Sequence, residues 1–158
     1  VFPEPKPFTR KPLRIMSLKH PDTKKMSKTG DEPIYMDDSP AEIEAKLKKA
    51  VTASDVEGSD GKASAGVENL LYLLEQFGDE AKVAEFRGAV KDGSIRYSDL
   101  KTELAHAIAD YFADFRKKKK ELLADKQKLA QILADGADRA REIAHQTMFE
   151  VKEKTGLL

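Results

Sequence analysis

Two lysines that flank a Met-Ser pair are the residues of this chain best suited to chemistry. They are Lys25 and Lys28, which enclose Met26 and Ser27 and are followed by Thr29. Lysine ammonium groups act as point charges on phosphate oxygens, and transfers at phosphorus depend on cations placed where negative charge accumulates. A polar loop suits this task because it can close over a nucleotide and reopen to release products. The alternative interpretation is an ordinary solvated basic loop.

The run at residues 25–29 resembles the KMSKS signature of class I aminoacyl-tRNA synthetases, and its surroundings resemble the tryptophanyl-tRNA synthetase family. Thr29 stands where the family usually has serine and keeps the hydroxyl. Nothing in the chain resembles the family's HIGH signature, its tryptophan pocket or its full nucleotide-binding sheet. The matching stretches, in the family's order, are RIMSL (14–18), KKMSKT (24–29), AVT (50–52), GVENLL (66–71) and the final helix from AREIA to the terminal GL (140–157).

The resemblance implies the carboxy-terminal part of a tryptophan–tRNA ligase, which activates tryptophan with ATP and transfers it to tRNA-Trp. Lys25 and Lys28 would be the catalytic cations, and Lys25, Met26, Ser27, Lys28 and Thr29 would together bind ATP. Mg²⁺ would arrive with ATP and keep most of its waters. We expect no structural metal, because cysteine is absent and the three histidines are separated. Without the amino-terminal half, the fragment is not expected to form tryptophanyl-adenylate.

The charge distribution indicates localised contacts with polyanions. The net charge is zero, yet residues 1–30 carry eight Lys or Arg against two acids, and residues 116–128 carry seven against two. Basic residues concentrated in two segments, which we call the two basic islands, argue against a protein that binds DNA non-specifically over its whole surface. The first island would meet ATP and the acceptor end of tRNA; the second is either a contact with the tRNA backbone or a solvated helix face. The candidate tRNA contacts, by analogy with the family's anticodon-binding domain, are Lys117, Lys118, Lys119, Lys120, Arg139 and Arg141.

Apolar periodicity and turn signals predict a mainly α fold, a bundle of about five helices preceded by an extended segment, a strand and a loop. By resemblance, residues 1–36 would be the carboxy-terminal edge of a Rossmann-type catalytic domain, and residues 37–158 the helical anticodon-binding domain. Residues 13–18 are predicted to be the last strand of a sheet whose other strands are missing, and therefore to be disordered or attached to another group. Helices are predicted to start at the Ser39 capping box, near residue 65, after Asp79, at Ser98 and after Asp125. The fourth is expected to bury a stripe ending in Tyr111, Phe112 and Phe115, and the fifth a stripe from Leu129 to Val151.

Composition excludes several classes of protein. The sequence has no apolar run long enough to span a membrane, no amino-terminal signal pattern and no cysteine for disulfides. The expected location is the cytoplasm or the mitochondrial matrix. Because the family dimerises largely through its nucleotide-binding half, we expect a homodimeric parent enzyme and a monomeric fragment. Two alternatives remain: a tyrosyl-tRNA synthetase, against which the AVT and GVENLL stretches argue, and a non-catalytic helical RNA-binding or scaffold protein.

Overall fold

The computed structural model describes residues 3–8, 13–30, 33–52 and 63–158. Within them, the only β pairing is an isolated antiparallel bridge between Met16 and Lys25, so the predicted mainly α fold is confirmed. No helix in these ranges is long and apolar enough to cross a membrane. The predicted boundary between residues 36 and 37 stays a prediction. The helices are α1 (Pro40–Lys48), α2 (Ala65–Phe77), α3 (Glu80–Asp92), α4 (Tyr97–Tyr111), α5 (Ala113–Ala124) and α6 (Lys126–Thr155).

The chain forms two compact units, and the larger one, Leu13–Arg116, contains the hydrophobic core. Helix α4 packs against both α1 and α2, and α3 packs against α2. Burial at positions that repeat every three or four residues confirms the apolar stripes predicted for α2 and α3, and those of α1 and α4 in part. Val51, also predicted on the face of α1, lies beyond that helix and is 37% exposed. The fully buried side chains are Ile43 and Leu47 of α1, Val67, Leu70, Leu71 and Leu74 of α2, and Leu100, Leu104 and Ile108 of α4.

The predicted capping box opens α1. The Ser39 hydroxyl accepts a hydrogen bond from the Glu42 N–H at 3.3 Å, and the Glu42 carboxylate accepts one from the Ser39 N–H at 2.7 Å. Pro40 occupies the first helical position, where its missing N–H costs nothing. The hydrogen bonds from Ser39 lower the pKa of Glu42 below its ordinary value. These contacts fix where α1 begins and so where the preceding loop must end.

The predicted fourth helix is two helices, so the described part of the chain contains six. It begins at Tyr97 after Arg96 and not with Ser98 as its cap, and it breaks at Phe112, where φ is −96° and ψ is 10°. The Arg116 guanidinium donates to the Ala109 carbonyl, one of the last carbonyls of α4, and so stabilises the break. The predicted burial of the end of this stripe is wrong for two aromatic residues, Tyr111 and Phe115, which are 62% and 41% exposed.

The second unit, which contains residues 117–158, includes the long helix α6. Asp125 caps it by accepting from the Lys128 N–H at 2.9 Å, as predicted, and Gly156 ends it with a left-handed φ of 73°. The predicted buried stripe is wrong, because no residue of α6 is buried; Leu133 and Ile143 are 65% and 68% exposed. A 30-residue helix with caps at both ends can be stabilised locally, without a core face.

Candidate functional site

The predicted phosphate-binding loop is held at its base by two backbone hydrogen bonds. The Ser17 N–H donates to the Lys24 carbonyl at 2.8 Å, and the Met26 N–H donates to the Ile15 carbonyl at 2.9 Å. This antiparallel pairing closes residues 18–23 into a turn. The motif therefore begins at a fixed point of the backbone.

The side chains of the motif divide into one anchored residue and four exposed ones. Met26 is partly buried against the hydrophobic core, which fixes the middle of the motif. Lys25, Ser27, Lys28 and Thr29 are exposed. The hydroxyls of Ser27 and Thr29 lie 3.3 Å apart, so the hydroxyl that Thr29 keeps in place of serine contacts its motif neighbour. Two ammonium groups and two hydroxyls thus face solvent from one short segment.

An open pocket of about 80 Å³ lies beside this segment. Three of the five predicted ATP-binding residues, Lys25, Met26 and Ser27, line it, whereas Lys28 and Thr29 do not. Ammonium and hydroxyl donors are the groups that phosphate oxygens require. The full lining is Ser17, Leu18, Lys24, Lys25, Met26, Ser27 and Gly30.

The segment at residues 13–18, predicted to be either disordered or attached to another group, is attached: a side chain of α2 bonds to its backbone. Asn69 accepts from the Met16 N–H at 3.2 Å and donates to the Met16 carbonyl at 3.1 Å. Asn69 is only 7% exposed. In the sequence, Asn69 stands out only as part of the GVENLL stretch, and its contact with Met16 was not predicted. The available signal was a polar residue between Val67 and Leu70 on a core-facing helix, which must find a partner when buried.

The AVT and GVENLL stretches meet the same segment from a second side. The Val51 N–H donates to the Leu18 carbonyl at 2.8 Å. Gly66, in the first turn of α2, lies so close that a Cβ on it would be 2.0 Å from the Val51 carbonyl oxygen. Lys101 of α4 donates to the Ala50 carbonyl at 2.7 Å, and burial lowers the pKa of this lysine. These three stretches are therefore parts of one junction beneath the loop.

The residues that follow the loop, 33–38, are bonded to a lysine of α1. Lys46 donates to the Pro33 carbonyl at 2.8 Å, pairs with the Asp38 carboxylate, and lies 4.8 Å from the centre of the Tyr35 ring. Asp38, which is buried, also accepts from the Tyr35 N–H at 2.8 Å. The backbone on both sides of the motif is thus attached to helices.

Asp38→Ala is expected to destabilise the chain by about 2 kcal/mol, because it removes a charged partner from Lys46 and an acceptor from the Tyr35 N–H. The measurement is the midpoint of urea unfolding. The matched control is Lys48→Ala, which removes the exposed pair between Lys48 and Glu44 and should cost less than about 0.5 kcal/mol. Equal losses in the two variants would contradict a structural role for Asp38.

The predicted tRNA contacts lie on two helices and differ in their surroundings. All six side chains are exposed. On α6, Arg139 donates to the Asp135 carbonyl at 3.3 Å and Arg141 pairs with Asp138. The four lysines at residues 117–120 form a continuous exposed basic run on α5. That these six residues contact tRNA stays a prediction.

Comparisons with known proteins agree with the motifs. The family model described as tRNA synthetases class I (W and Y) matches residues 1–113. The chain is 36% identical to a Tryptophan--tRNA ligase of Caldanaerobacter subterraneus, over 100% of this chain and 47% of the relative. It is 32% identical to that of Porphyromonas gingivalis, over 98% of this chain and 47% of the relative. The chain thus spans about half the length of the curated relatives it matches.

A solved structure shows the same fold. The tryptophanyl-tRNA synthetase of Campylobacter jejuni, complexed with ADP and tryptophan, superposes with a TM-score of 0.68 and 28% identity, over 88% of this chain and 43% of that chain. The curated relatives named above are tryptophan ligases, which disfavours both the tyrosyl alternative and the non-catalytic scaffold. With its lysine motif, its helical core and these matches together, the chain belongs to the class I tRNA synthetases of the tryptophan and tyrosine family.

Proposed function

We propose that this chain is the carboxy-terminal part of a tryptophan–tRNA ligase, an enzyme that activates tryptophan with ATP and joins it to tRNA-Trp. The observation that carries the proposal is the exposed pair Lys25 and Lys28, which follow a turn whose base is fixed by hydrogen bonds. Similarity to tryptophan ligases along nearly the whole chain supports it.

The chemistry follows from where charge develops. In adenylate formation the tryptophan carboxylate attacks the α-phosphate of ATP, and pyrophosphate leaves with growing negative charge. Lys25 and Lys28 would place their ammonium groups on the β- and γ-phosphate oxygens, where that charge accumulates. The Ser27 hydroxyl would add a hydrogen-bond donor beside the pocket that Lys25 lines. Mg²⁺ would arrive on the triphosphate and would need no cage of protein ligands.

A full-length chimera tests this proposal. The chain would replace the matching part of the Caldanaerobacter subterraneus relative, with which it aligns over its whole length. We expect exchange of pyrophosphate into ATP that depends on tryptophan and not on tyrosine. A folded chimera that binds tryptophan but supports no exchange would overturn the role of the loop.

We also propose that the basic run on α5 contacts the tRNA backbone. Its four side chains, at residues 117–120, are exposed and adjacent in sequence. Phosphate contacts give salt-dependent affinity, whereas anticodon bases are read by stacking and hydrogen bonding on a preformed surface. A preference for tRNA-Trp that survives added salt would therefore indicate anticodon reading, in which Arg139 and Arg141 are the candidate residues.

Replacing Lys117, Lys118, Lys119 and Lys120 by glutamine is expected to weaken binding of the chain to every tRNA. The salt slope should fall by about one unit for each lysine that contacts phosphate. The measurement uses transcripts with the tryptophan anticodon CCA, a tyrosine anticodon and an unrelated anticodon, at low and moderate salt. The control replaces Lys152 and Lys154, at the end of α6. If the unmodified chain binds all three transcripts equally and its affinity for them falls steeply as salt is added, the proposed anticodon-reading role is withdrawn.

The place of action and the assembly state complete the proposal. The relatives named above are bacterial, which supports the cytoplasm over the mitochondrial matrix. The parent enzyme would be a homodimer through its nucleotide-binding half, and the chain itself a monomer.

A further inference from the structure

Residues 15–17 form a short extended strip whose backbone groups point alternately to two sides, as in any strand. On one side, the Ile15 carbonyl and the Ser17 N–H bond to the loop arm at Met26 and Lys24. On the other side, both backbone groups of Met16 bond to the side chain of Asn69. The strip is therefore held between an α2 side chain and the backbone on either side of Lys25.

Asn69 matches both polar groups of Met16 because its amide carries an acceptor and a donor on one rigid plane. It reproduces the pair of hydrogen bonds that a neighbouring strand would supply. An aspartate in its place would keep the acceptor but would set a carboxylate oxygen against the Met16 carbonyl. The site is buried, with Asn69 and Ser17 7% and 2% exposed, so water does not readily replace a lost partner.

We propose that Asn69 is a positioning residue for the lysine loop: by fixing Met16, it sets where the loop arm and the ammonium group of Lys25 lie. The functional consequence rests on the proposed function, since a correctly placed lysine matters only if the loop binds phosphates. A small displacement of the Lys25 ammonium group is enough to weaken its contacts with phosphate oxygens. Asn69 itself contacts no phosphate.

Asn69→Asp in the full chain tests the proposal, with Val90→Ala on α3 as the control for general loss of stability. Val90 packs against the core, and α3 packs against α2 and contributes no group to the loop. The first measurement is amide hydrogen exchange at Ser17 and Met26, whose N–H groups bond to the loop arm and the strip and not to Asn69. The second is the affinity for inorganic pyrophosphate with Mg²⁺.

We expect Asn69→Asp to raise exchange at Ser17 and Met26 by about tenfold and to weaken pyrophosphate binding by about tenfold, each corresponding to about 1.4 kcal/mol. Val90→Ala should change neither beyond its effect on global unfolding. Unchanged exchange at these two amides, or unchanged pyrophosphate affinity with faster exchange, would overturn the proposal. If the unmodified chain binds no pyrophosphate, or if the Lys25→Ala variant binds it equally well, the proposed function of the loop fails instead. The hydrogen-exchange rates then still decide whether Asn69 holds the loop in place.

Discussion

Lys25→Ala and Lys28→Ala, each made in the full-length chimera, are expected to slow tryptophan-dependent pyrophosphate exchange by about 10²–10³-fold. In the proposed mechanism, each substitution removes a cation from the place where the leaving pyrophosphate gains charge. Because that charge grows towards the transition state, the loss should fall mainly on kcat rather than on the KM for ATP. Arginine should restore little, since its planar fork does not reproduce a compact ammonium group.

The matched control for these two variants is Lys19→Ala, which removes an exposed lysine of the turn at residues 18–23. Lys19 uses its backbone N–H to bond to the Ser17 hydroxyl, a contact that the alanine variant keeps. Its exchange rate should stay close to that of the unmodified chimera. Rates for Lys25→Ala and Lys28→Ala that match the Lys19→Ala rate would mean that general positive charge, and not the motif, accounts for any binding of ATP.

Gly66→Ala is expected to destabilise the chain by about 3 kcal/mol, towards the upper end of the cost of overpacking. The added Cβ would lie 2.0 Å from the Val51 carbonyl oxygen and 2.9 Å from its carbon. Both atoms belong to the backbone, so no side-chain rotation relieves the clash. The first turn of α2 must therefore move away from residues 51 and 52, which strains the hydrogen bond between the Val51 N–H and the Leu18 carbonyl.

Gly88→Ala is the control for Gly66→Ala because both glycines lie inside helices. A Cβ at Gly88 meets nothing within 4 Å. Alanine should therefore be neutral there or stabilise α3 by up to about 1 kcal/mol, through its better helix propensity. The measurement is the urea midpoint of each variant. A similar change in both would show that the close approach at Gly66 has no structural importance.

The sequence predicts those parts of the fold that depend on neighbouring residues. Capping at Ser39 and Asp125 and the stop at Gly78 are read from side-chain types at fixed offsets. The core faces of α1, α2 and α4 follow from apolar spacing. The stripe of α6 has the same spacing, yet Leu133 and Ile143 are exposed, because periodicity marks an apolar face and not whether another element covers it.

The contacts that hold the candidate site were beyond prediction because they join residues distant in the chain. Asn69 and Met16 are 53 positions apart, and no periodic signal connects a helix side chain to a particular backbone amide. The break at Phe112 contains neither glycine nor proline, so no residue type near it predicts that the helix ends there. The motif could be recognised from the sequence because it is defined by residue types at a fixed spacing, including Lys25 and Lys28.

Charging of tRNA-Trp by the chimera is the most direct measurement, because in the proposed function it depends both on the lysine loop and on the helices that would contact tRNA. We predict attachment of labelled tryptophan to tRNA-Trp, with no attachment of tyrosine to tRNA-Tyr, and loss of charging in the Lys25→Ala and Lys28→Ala variants. A folded chimera that binds tryptophan but leaves tRNA-Trp uncharged, or one that charges it equally well without both lysines, would contradict the proposed function.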